Sequence, residues 1–409
     1  MDLDLKAERI IQWKRGETPG PWRIFIFPTY VCNQRCGYCT LSLVPDPPEL
    51  HDTLSDERLL RLVDEGAELD VRDWAIGGGG EPMVRHKVVM EMLGRIRALD
   101  MNGTLQSNGT LFKPHHLETL VNIGWENLSL SIDGPTAAVN DDIRHENSFD
   151  TVTKNIRTLN ELKAKANSPY PHLLMTCTIS AKNYHLIPEI LERCDDFQVN
   201  EASFNEVWMH HPGMEHLVLN DGHRAAMRES AGRTVAKAKA LGLEKNLPEF
   251  FAGLGNVQAR KLAPAKAYTP EISEVDESSC YDPWLSLSVV SSGKVGPCCV
   301  FREGKADSLH HMTLKEAWMG PYMTDLRRQM LQGEPPEPCE ACQGDFIRHN
   351  EGVSAALYRQ NMDWSLTPGN LVGKAISSLQ RHGVVGSFRR GKEWLDLRRA
   401  AGKGHDPRS

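Results

Sequence analysis

At 409 residues the chain has room for two domains, because a single hydrophobic core stops growing near about 250–300 residues. Its composition, 40% hydrophobic and 25% charged, is that of an ordinary globular protein, and no apolar run approaches the roughly 20 residues that a membrane span requires. A charged start without the apolar block of a secretory signal predicts a cytoplasmic protein, in which ten cysteines indicate metal or redox sites rather than disulfides.

Short apolar runs and amphipathic stretches alternate from residue 23 to residue 242. The predicted strands cover residues 23–27, 73–77, 103–107, 127–133, 173–180 and 198–208. The predicted helices cover residues 55–66, 86–99, 114–123, 148–165, 184–194 and 221–241. Six strand–helix units predict a parallel sheet that right-handed crossovers bend toward a barrel, two units short of closure. We therefore predict an α/β fold, a partial (β/α)6 TIM-like barrel with its chemistry at the carboxyl ends of the strands.

Four further segments are predicted around this barrel. They are an N-terminal extension (1–22), a proline-containing linker (243–279), a small α+β module (280–350) and a helical basic tail (351–409). Within the module, a Ser-Gly turn between alternating runs predicts a hairpin at 284–299, and a helix is expected over 313–332.

The net charge of −7 is unevenly spread along the chain, because residues 371–409 carry +6 and the rest carries −13. A solvated, partly helical tail is the simplest interpretation of that segment, and a docking segment for an anionic surface is the alternative. We expect no nucleic-acid partner.

The stretch "VCNQRCGYCT" at 31–40 places Cys32, Cys36 and Cys39 within eight positions. This spacing lets three thiolates hold three irons of a cubane while the fourth iron stays open, as a reactive metal centre requires. A zinc site completed by a remote histidine is the alternative that the spacing leaves open. The motifs "GGGGEP" at 77–82 and "SNGT" at 107–110 follow the next two strands, so all three motifs are expected on one rim.

The residues "CNQRCGYC" match the CxxxCxφC signature of the radical S-adenosylmethionine (SAM) superfamily, with Tyr38 as the aromatic residue, and "GGGGEP" resembles that family's GGE motif. The resemblance implies a 4Fe–4S cluster on Cys32, Cys36 and Cys39, whose fourth iron is chelated by the amino and carboxylate groups of SAM. Reduction of such a cluster cleaves SAM to methionine and a 5′-deoxyadenosyl radical, which takes a hydrogen atom from the substrate.

The resemblance also implies a set of SAM contacts. They are Tyr38, Gly79, Gly80, Glu81, Asn108, Ser131 and Arg144. Glycines let the backbone approach a ligand, and Glu81 can accept hydrogen bonds from the SAM ammonium. A surface carboxylate at Glu81, an exposed arginine at Arg144 and a plain turn residue at Asn108 are the alternatives. Some relatives place a glutamine before the GGE motif, where Ile76 and Gly77 stand here, so the orientation of SAM can differ.

A second cysteine set, with the pattern C-x17-C, a helix and CxxC, resembles the twitch module, a shortened SPASM domain. The ligands that the resemblance implies for an auxiliary 4Fe–4S cluster are Cys280, Cys298, Cys339 and Cys342. Four thiolates suit zinc equally well, so a zinc site is the chemical alternative. No cysteine follows Cys342, hence one auxiliary cluster is expected, with Cys299 as a spare. Cys177 and Cys194 are interpreted as ordinary buried thiols.

A fully ligated auxiliary cluster cannot bind SAM, so we expect it to take an electron from a substrate radical, which favours net oxidation. Our first hypothesis is a radical SAM oxidoreductase, of the 2-deoxy-scyllo-inosamine dehydrogenase type, that oxidises or epimerises a sugar, aminocyclitol or similar polar small molecule. Glu206 and His210, at the end of the sixth strand, are its substrate-side candidates. An electron donor such as flavodoxin or ferredoxin is the expected partner.

The second hypothesis is a maturase that modifies a ribosomal peptide or a protein side chain. Such enzymes often carry a leader-binding domain, whereas 22 residues precede the first predicted strand here, which favours the small molecule. The third hypothesis is a non-enzymatic iron–sulfur or zinc scaffold that binds a partner through its basic tail, and it predicts no SAM cleavage.

Overall fold

The computed structural model describes most of the chain up to residue 332 and a few positions beyond it. The described residues are 2–43, 52–145, 147–209, 211–243, 246–254, 280–298, 307–332, 336, 339, 352–353 and 356–357. No helix within these ranges is both long enough and apolar enough to cross a membrane. His210, Cys299, Cys342 and most of the predicted basic tail lie outside the described residues.

A single sheet runs through the described part of the chain. Its strands are β1 (Arg23–Ile26), β2 (Asp73–Ile76), β3 (Asn102–Ser107), β4 (Asn127–Ser131), β5 (His172–Ile179), β6 (Glu201–Glu206), β7 (Ser286–Val289) and β8 (Val295–Gly296). Their order is β6-β5-β4-β3-β2-β1-β7-β8, and every neighbouring pair is parallel except β7 and β8. Parallel neighbours require crossover connections, which helices supply here.

Helices follow or precede each strand. They are α1 (Asp2–Lys14), α2 (Thr40–Leu43), α3 (Asp56–Glu68), α4 (His86–Ala98), α5 (Pro114–Asn122), α6 (Ala137–Ile143), α7 (Ser148–Ala166), α8 (Ile187–Asp196), α9 (Asp221–Ala240), α10 (Leu247–Gly253), α11 (Asp282–Leu285), α12 (Leu314–Trp318) and α13 (Pro321–Gln332). Local chemistry fixes several starts. The Ser55 hydroxyl accepts from the Arg58 N–H at 3.1 Å ahead of α3, and Pro114 opens α5.

The alternation of side chains along the strands gives the sheet two faces. On the outer face, residues such as Ile24 of β1 and Leu128 of β4 are fully buried in the core that the helices cover. On the inner face, the strands carry mostly small polar side chains, which line what we call the lumen of the barrel. The core therefore lies between sheet and helices, and the lumen is left for ligands.

The predicted partial barrel of six strand–helix units is confirmed, with each element within a few residues of its predicted bounds. The sheet, however, continues beyond β1, because β7 pairs with β1 in parallel and Leu287 lies opposite Ile24. The predicted hairpin is β7 and β8. The predicted helix at 313–332 is two helices, since it is interrupted at Gly320 and restarts at Pro321.

The N-terminal extension is helical, which the sequence analysis did not predict, and it packs on the C-terminal module. The shared apolar cluster contains Ala7, Ile10, Trp22, Tyr281, Trp284, Leu285, Leu326, Met330, Val353, Ala356 and Leu357. Partly buried Cys280, Cys298 and Cys339 pack against the same cluster. α1 is therefore a support for the auxiliary cysteines.

The predicted linker begins with α10, which covers the exposed edge of the sheet. The Asn246 side chain accepts from the Phe204 N–H at 3.0 Å and donates to the Phe204 carbonyl at 2.8 Å. The Asn246 side chain thus makes the two hydrogen bonds to Phe204 that a neighbouring strand would make, and it protects this edge of β6 from pairing with another chain.

Candidate active site

The segment after β1 carries the three closely spaced cysteines. Cys36 is buried, Cys32 and Cys39 are half-buried, and the Cys39 N–H donates to the Cys36 carbonyl at 3.0 Å in a tight turn. Burial raises the pKa of the Cys36 thiol to about 11, and the proximity of Cys39 and Cys32 acts in the same direction. The three thiols therefore lie within electrostatic reach of one another.

The donor set fits a cubane better than a single metal ion. No three His, Cys, Asp or Glu side chains in the part of the chain that the structure describes lie close enough together to hold one ion. Zinc requires its ligands gathered around one centre, whereas a cubane takes one thiolate on each of three irons. Cys32, Cys36 and Cys39 offer three thiolates of this kind within one segment.

The glycine-rich loop after β2 lies directly on the cysteine segment. The Gly80 N–H donates to the Thr29 carbonyl at 2.8 Å, and the Glu81 N–H donates to the Val31 carbonyl at 2.9 Å. A Cβ added at Gly80 would lie 2.2 Å from the Val31 oxygen, and Gly79 adopts a positive φ of 64°. The glycines are therefore needed here because two backbones touch, next to Cys32.

Glu81 is a buried carboxylate, 2% exposed, and not the surface group of the alternative interpretation. Its Oε1 accepts from the Ser107 hydroxyl at 2.7 Å and the Met83 N–H at 3.0 Å, and its Oε2 accepts from the Asn108 N–H at 2.7 Å. Burial raises the pKa of Glu81, while these three hydrogen bonds lower it. Because a carboxylate has about four acceptor positions, one remains for a ligand ammonium.

Asp133, just beyond β4, joins the cysteine segment to three other elements. Its Oδ2 accepts from the Tyr38 hydroxyl at 2.7 Å and from Arg144 at 2.8 Å, and its Oδ1 accepts from the Thr178 N–H at 2.7 Å. The Asn140 side chain accepts from the Asp133 N–H at 2.9 Å. No pattern in the sequence distinguishes Asp133 from an ordinary turn residue, so this role is visible only in the structure.

Arg144 is buried, 8% exposed, so the exposed arginine of the alternative interpretation is not what the structure shows. It also donates to the Tyr38 hydroxyl at 2.8 Å. Its Nε is buried without a hydrogen-bond partner among the described residues. An unused buried donor beside the cysteine segment suits an incoming carboxylate.

The remaining predicted SAM contacts lie on the same rim. The Asn108 side chain donates to Asn33 at 2.9 Å, and Asn33 donates to the Thr110 hydroxyl at 2.9 Å, which ties the cysteine segment to the end of β3. Ser131 is half-buried at the end of β4, on the inner face of the sheet. The contribution of Asn33 was not predicted, and no sequence pattern distinguishes it from a loop residue.

Of the two substrate-side candidates, only Glu206 is described. Its Oε1 pairs with Arg224 of α9 at 2.6 Å, and both side chains are nearly buried. Strand alternation places Glu206 on the outer face with Ala202 and Phe204, whereas Asn205 lies on the inner face and is exposed. The pattern "EASFNE" already carried this signal, which was overlooked.

Hydroxyl and amide side chains line the lumen from the middle of the strands to their carboxyl ends. On β3 to β6 these are Thr104, Gln106, Ser129, Ser131, Thr176, Thr178, Ser203 and Asn205. The charged inner-face strand residues lie at the amino-terminal starts of their strands. Arg23 of β1 pairs with Asp73 of β2, and Glu201 of β6 lies beside Leu174 of β5. Toward the carboxyl ends of β3 to β6 the lumen therefore offers hydrogen bonds from neutral side chains.

The auxiliary cysteines lie toward the amino-terminal end of the sheet. Cys280 precedes β7, and Cys298 follows β8, which runs back antiparallel to β7. Burial raises the pKa of Cys280 well above its ordinary value, and nearby Cys298 and Cys339 act in the same direction. Three of the four predicted ligands are thus brought together, and the fourth, Cys342, lies outside the described residues.

The carboxyl rim of this partial barrel brings together three spaced cysteines, a glycine loop and a buried carboxylate. This combination indicates a class of enzymes that bind an iron–sulfur cluster together with a nucleotide-like cofactor. Comparison with protein families identifies that class. Residues 26–192 match the radical SAM superfamily, and residues 280–343 match the SPASM iron–sulfur cluster-binding domain. The chain therefore contains a radical SAM domain and a SPASM domain.

Curated relatives differ in what they make. Pre-heme d1 synthase of Dinoroseobacter shibae is 24% identical over 86% of each chain, and PqqA peptide cyclase of Granulibacter bethesdensis is 24% identical over 77% of each. Mycofactocin maturase of Mycobacterium tuberculosis is 33% identical, but over only 32% of each chain.

Solved structures share the fold. Streptococcus suis SuiB bound to its precursor peptide SuiA has a TM-score of 0.58 at 16% identity, covering 78% of this chain and 70% of that one. The enzyme anSMEcpe with bound AdoMet and a peptide has a TM-score of 0.55 at 14% identity, covering 84% of this chain and 99% of that one. At these identities the likeness concerns the fold alone.

The radical SAM domain binds a 4Fe–4S cluster and SAM, and the SPASM domain binds auxiliary iron–sulfur clusters. Together the SAM-binding cluster and SAM supply a 5′-deoxyadenosyl radical. On this rim the described part of the chain offers three cysteines, an open acceptor position on Glu81 and an unpaired Nε donor on Arg144.

Proposed function

We propose that this protein is a radical SAM maturase that modifies a peptide or a protein side chain. Mycofactocin maturase and PqqA peptide cyclase, together with the peptide complexes of SuiB and anSMEcpe, support this proposal. It is the second of the two enzyme hypotheses that the sequence suggested. The first, a sugar or aminocyclitol oxidoreductase, has no comparable support among the relatives named above.

The chemistry of the lumen is the observation that carries the proposal. A peptide backbone presents neutral N–H and C=O groups, which the hydroxyls and amides of β3 to β6 can satisfy. For example, Gln106 is exposed on the inner face beside Ser129, and Asn205 is exposed beside Thr178. An inserted peptide segment would bury its polar groups there without leaving them unpaired.

Pre-heme d1 synthase raises tetrapyrrole modification as a second candidate, because that relative covers most of both chains. Haem-type tetrapyrroles carry several carboxylates, whose burial requires arginine or lysine partners. The described inner-face strand residues provide Arg23 alone, and it is paired with Asp73 at the amino-terminal end. Arg144 is already bonded to Asp133. The charge pattern therefore favours the peptide.

The proposal assigns each residue of the site a role. Cys32, Cys36 and Cys39 hold the SAM-binding cluster, Glu81 accepts from the SAM ammonium, and Arg144 donates to its carboxylate. Tyr38, Gly79, Gly80, Asn108 and Ser131 shape the same pocket. Cys280, Cys298, Cys339 and Cys342 hold the auxiliary cluster, which accepts an electron from the substrate radical. A low-potential donor such as flavodoxin or ferredoxin supplies the first electron, and a reducing cytoplasm suits all of these thiols.

The test is to follow a label from substrate to cofactor. The anaerobically reconstituted protein is incubated with SAM, dithionite and perdeuterated extracts of the host, separated into a peptide fraction and a small-metabolite fraction. We expect deuterium in 5′-deoxyadenosine with the peptide fraction only. Transfer from the small-metabolite fraction alone would overturn the proposal, and a carboxylate-rich tetrapyrrole in the active subfraction would favour the second candidate.

A further inference from the structure

Gln34 occupies a special place in the cysteine segment. It is buried, 3% exposed, and its backbone N–H donates to the Cys32 sulfur at 3.4 Å. Its side-chain Oε1 accepts from the Cys36 thiol at 3.7 Å. Its Nε2 is buried and has no hydrogen-bond partner among the described residues. One buried residue therefore contacts two of the three cluster ligands and keeps an unused donor.

The hydrogen bond from Cys36 to Gln34 Oε1 requires a protonated Cys36 thiol, and it cannot form when Cys36 is bound to the cluster. Iron-bound cysteine is a thiolate, which accepts hydrogen bonds and cannot donate one. A carbonyl oxygen 3.7 Å from that sulfur would then face a negative charge. A half-turn of the amide about the last side-chain bond replaces Oε1 by Nε2 without moving any other atom. The same turn gives the buried Nε2 its partner, which removes the cost of an unpaired donor.

We propose that Gln34 donates two hydrogen bonds to the ligands of the SAM-binding cluster, from its backbone to Cys32 and from its side-chain amide to Cys36, and that the side-chain bond raises the reduction potential of this cluster. Reduction adds negative charge to the cluster and its sulfurs. An N–H dipole aimed at a sulfur stabilises the reduced form more than the oxidised form, and hydrogen bonds to the sulfurs are among the factors that set such potentials.

Gln34 is the middle of the three unspecified positions between the first two cysteines of the CxxxCxφC signature. The neighbouring side chains point elsewhere: Asn33 bonds to Thr110, and the Arg35 guanidinium donates to the Cys32 and Gln34 carbonyls at 3.1 Å. Within the described residues of this segment, Gln34 is the side chain that offers an unused amide donor beside a ligand sulfur.

The direct test is the midpoint potential of the SAM-binding cluster in a Gln34→Leu variant, measured by EPR-monitored redox titration of the reconstituted protein. The signal of this cluster is recognised by its change on addition of SAM. Loss of the amide donor should lower the ratio of reduced to oxidised cluster about tenfold at a fixed potential, a negative shift of about 59 mV for one electron. The auxiliary-cluster signal should not shift. Gln329→Leu, which replaces a half-buried glutamine on α13, far from the cysteine segment in the sequence, is the matched control.

A second measurement covers the case in which Gln34→Leu does not assemble its cluster. Wild-type protein made by cell-free synthesis with glutamine labelled by 15N only at the side-chain amide should show 15N and exchangeable-proton hyperfine coupling to the reduced SAM-binding cluster. An unchanged potential in an assembled Gln34→Leu variant, or the absence of side-chain 15N coupling in the wild type, would overturn the proposal. Neither result depends on the identity of the substrate.

Discussion

Replacing Gly80 by alanine should damage SAM cleavage far more than it damages folding. The added Cβ would lie 2.2 Å from the Val31 oxygen and 2.6 Å from the Tyr30 carbonyl carbon, whereas ordinary contact begins at 3.4 Å. Both neighbours are backbone atoms, so no flexible side chain can yield, and the segment that leads into Cys32 must move by about 1 Å. A displacement of this size in a catalytic constellation costs about 100-fold in rate.

The backbone of Gly80 itself is not the obstacle, because its φ lies outside the left-handed region. Steric displacement is therefore the single effect of the substitution. The assay is 5′-deoxyadenosine formation by reconstituted protein under dithionite, with iron content and SAM affinity measured on the same samples. Gly94→Ala is the matched control, since nothing lies within 4 Å of a Cβ at this position of α4 and the change should stabilise the helix by about 0.5–1 kcal/mol.

A Gly80→Ala protein with the rate and SAM affinity of the wild type would refute the argument that the glycine loop positions the cysteine segment. A Gly94→Ala protein with equal loss would show that any helix or loop glycine disturbs the barrel, and the steric reasoning would fail with it. The expected pattern is loss at Gly80 and retention at Gly94, with similar melting temperatures for both proteins within a few degrees.

Three shorter predictions concern other parts of the molecule. Arg224→Met leaves the nearly buried Glu206 carboxylate without its ion-pair partner, so it should lower the free energy of unfolding by about 3–5 kcal/mol in chemical denaturation. An unchanged denaturation midpoint would show that the pair contributes nothing to stability. Cys339→Ser should reduce iron from about eight to about four per chain while the SAM-responsive EPR signal persists, and undiminished iron would exclude Cys339 as a ligand. Burial lowers the pKa of His116 from 6.5 to about 4, so the unfolded chain binds the extra proton and stability falls as the pH drops from 6.5 toward 4. His116→Gln should flatten this slope in circular-dichroism melts at several pH values, and an unaltered slope would contradict the assignment.

The barrel could be predicted from the sequence because buried residues recur at regular spacings along its strands and helices. Buried outer-face residues recur every second position in the strands and every third or fourth position in the helices. The N-cap Ser55 and the first-turn proline Pro114 mark the starts of α3 and α5. The location of the site on the rim could also be predicted, because each motif follows a strand and parallel strands bring their carboxyl ends together. Local pattern thus suffices for elements and for the approximate site.

What the sequence did not reveal depends on contacts between distant segments. The Asp133 network requires β4, β5, α6 and the cysteine segment to meet, and a single aspartate in "SIDGP" carries no sign of such partners. The parallel pairing of β7 with β1 joins residues about 260 positions apart, for which one sequence offers no signal. The misassigned face of Glu206 is different, because alternation with Phe204 would have corrected it.

The topology also bears on where an electron from the substrate can go. The SAM-binding cysteines follow β1 at the carboxyl end of the sheet, while Cys280 and Cys298 flank a hairpin that starts and finishes toward its amino-terminal end. Because β7 pairs directly with β1, the two cysteine sets are held on neighbouring strands of one sheet and cannot drift apart as hinged domains would. In the proposed maturase, an auxiliary cluster on Cys280 and Cys298 would therefore keep a fixed position relative to the SAM-binding cluster, which is what an oxidative modification requires of an electron acceptor.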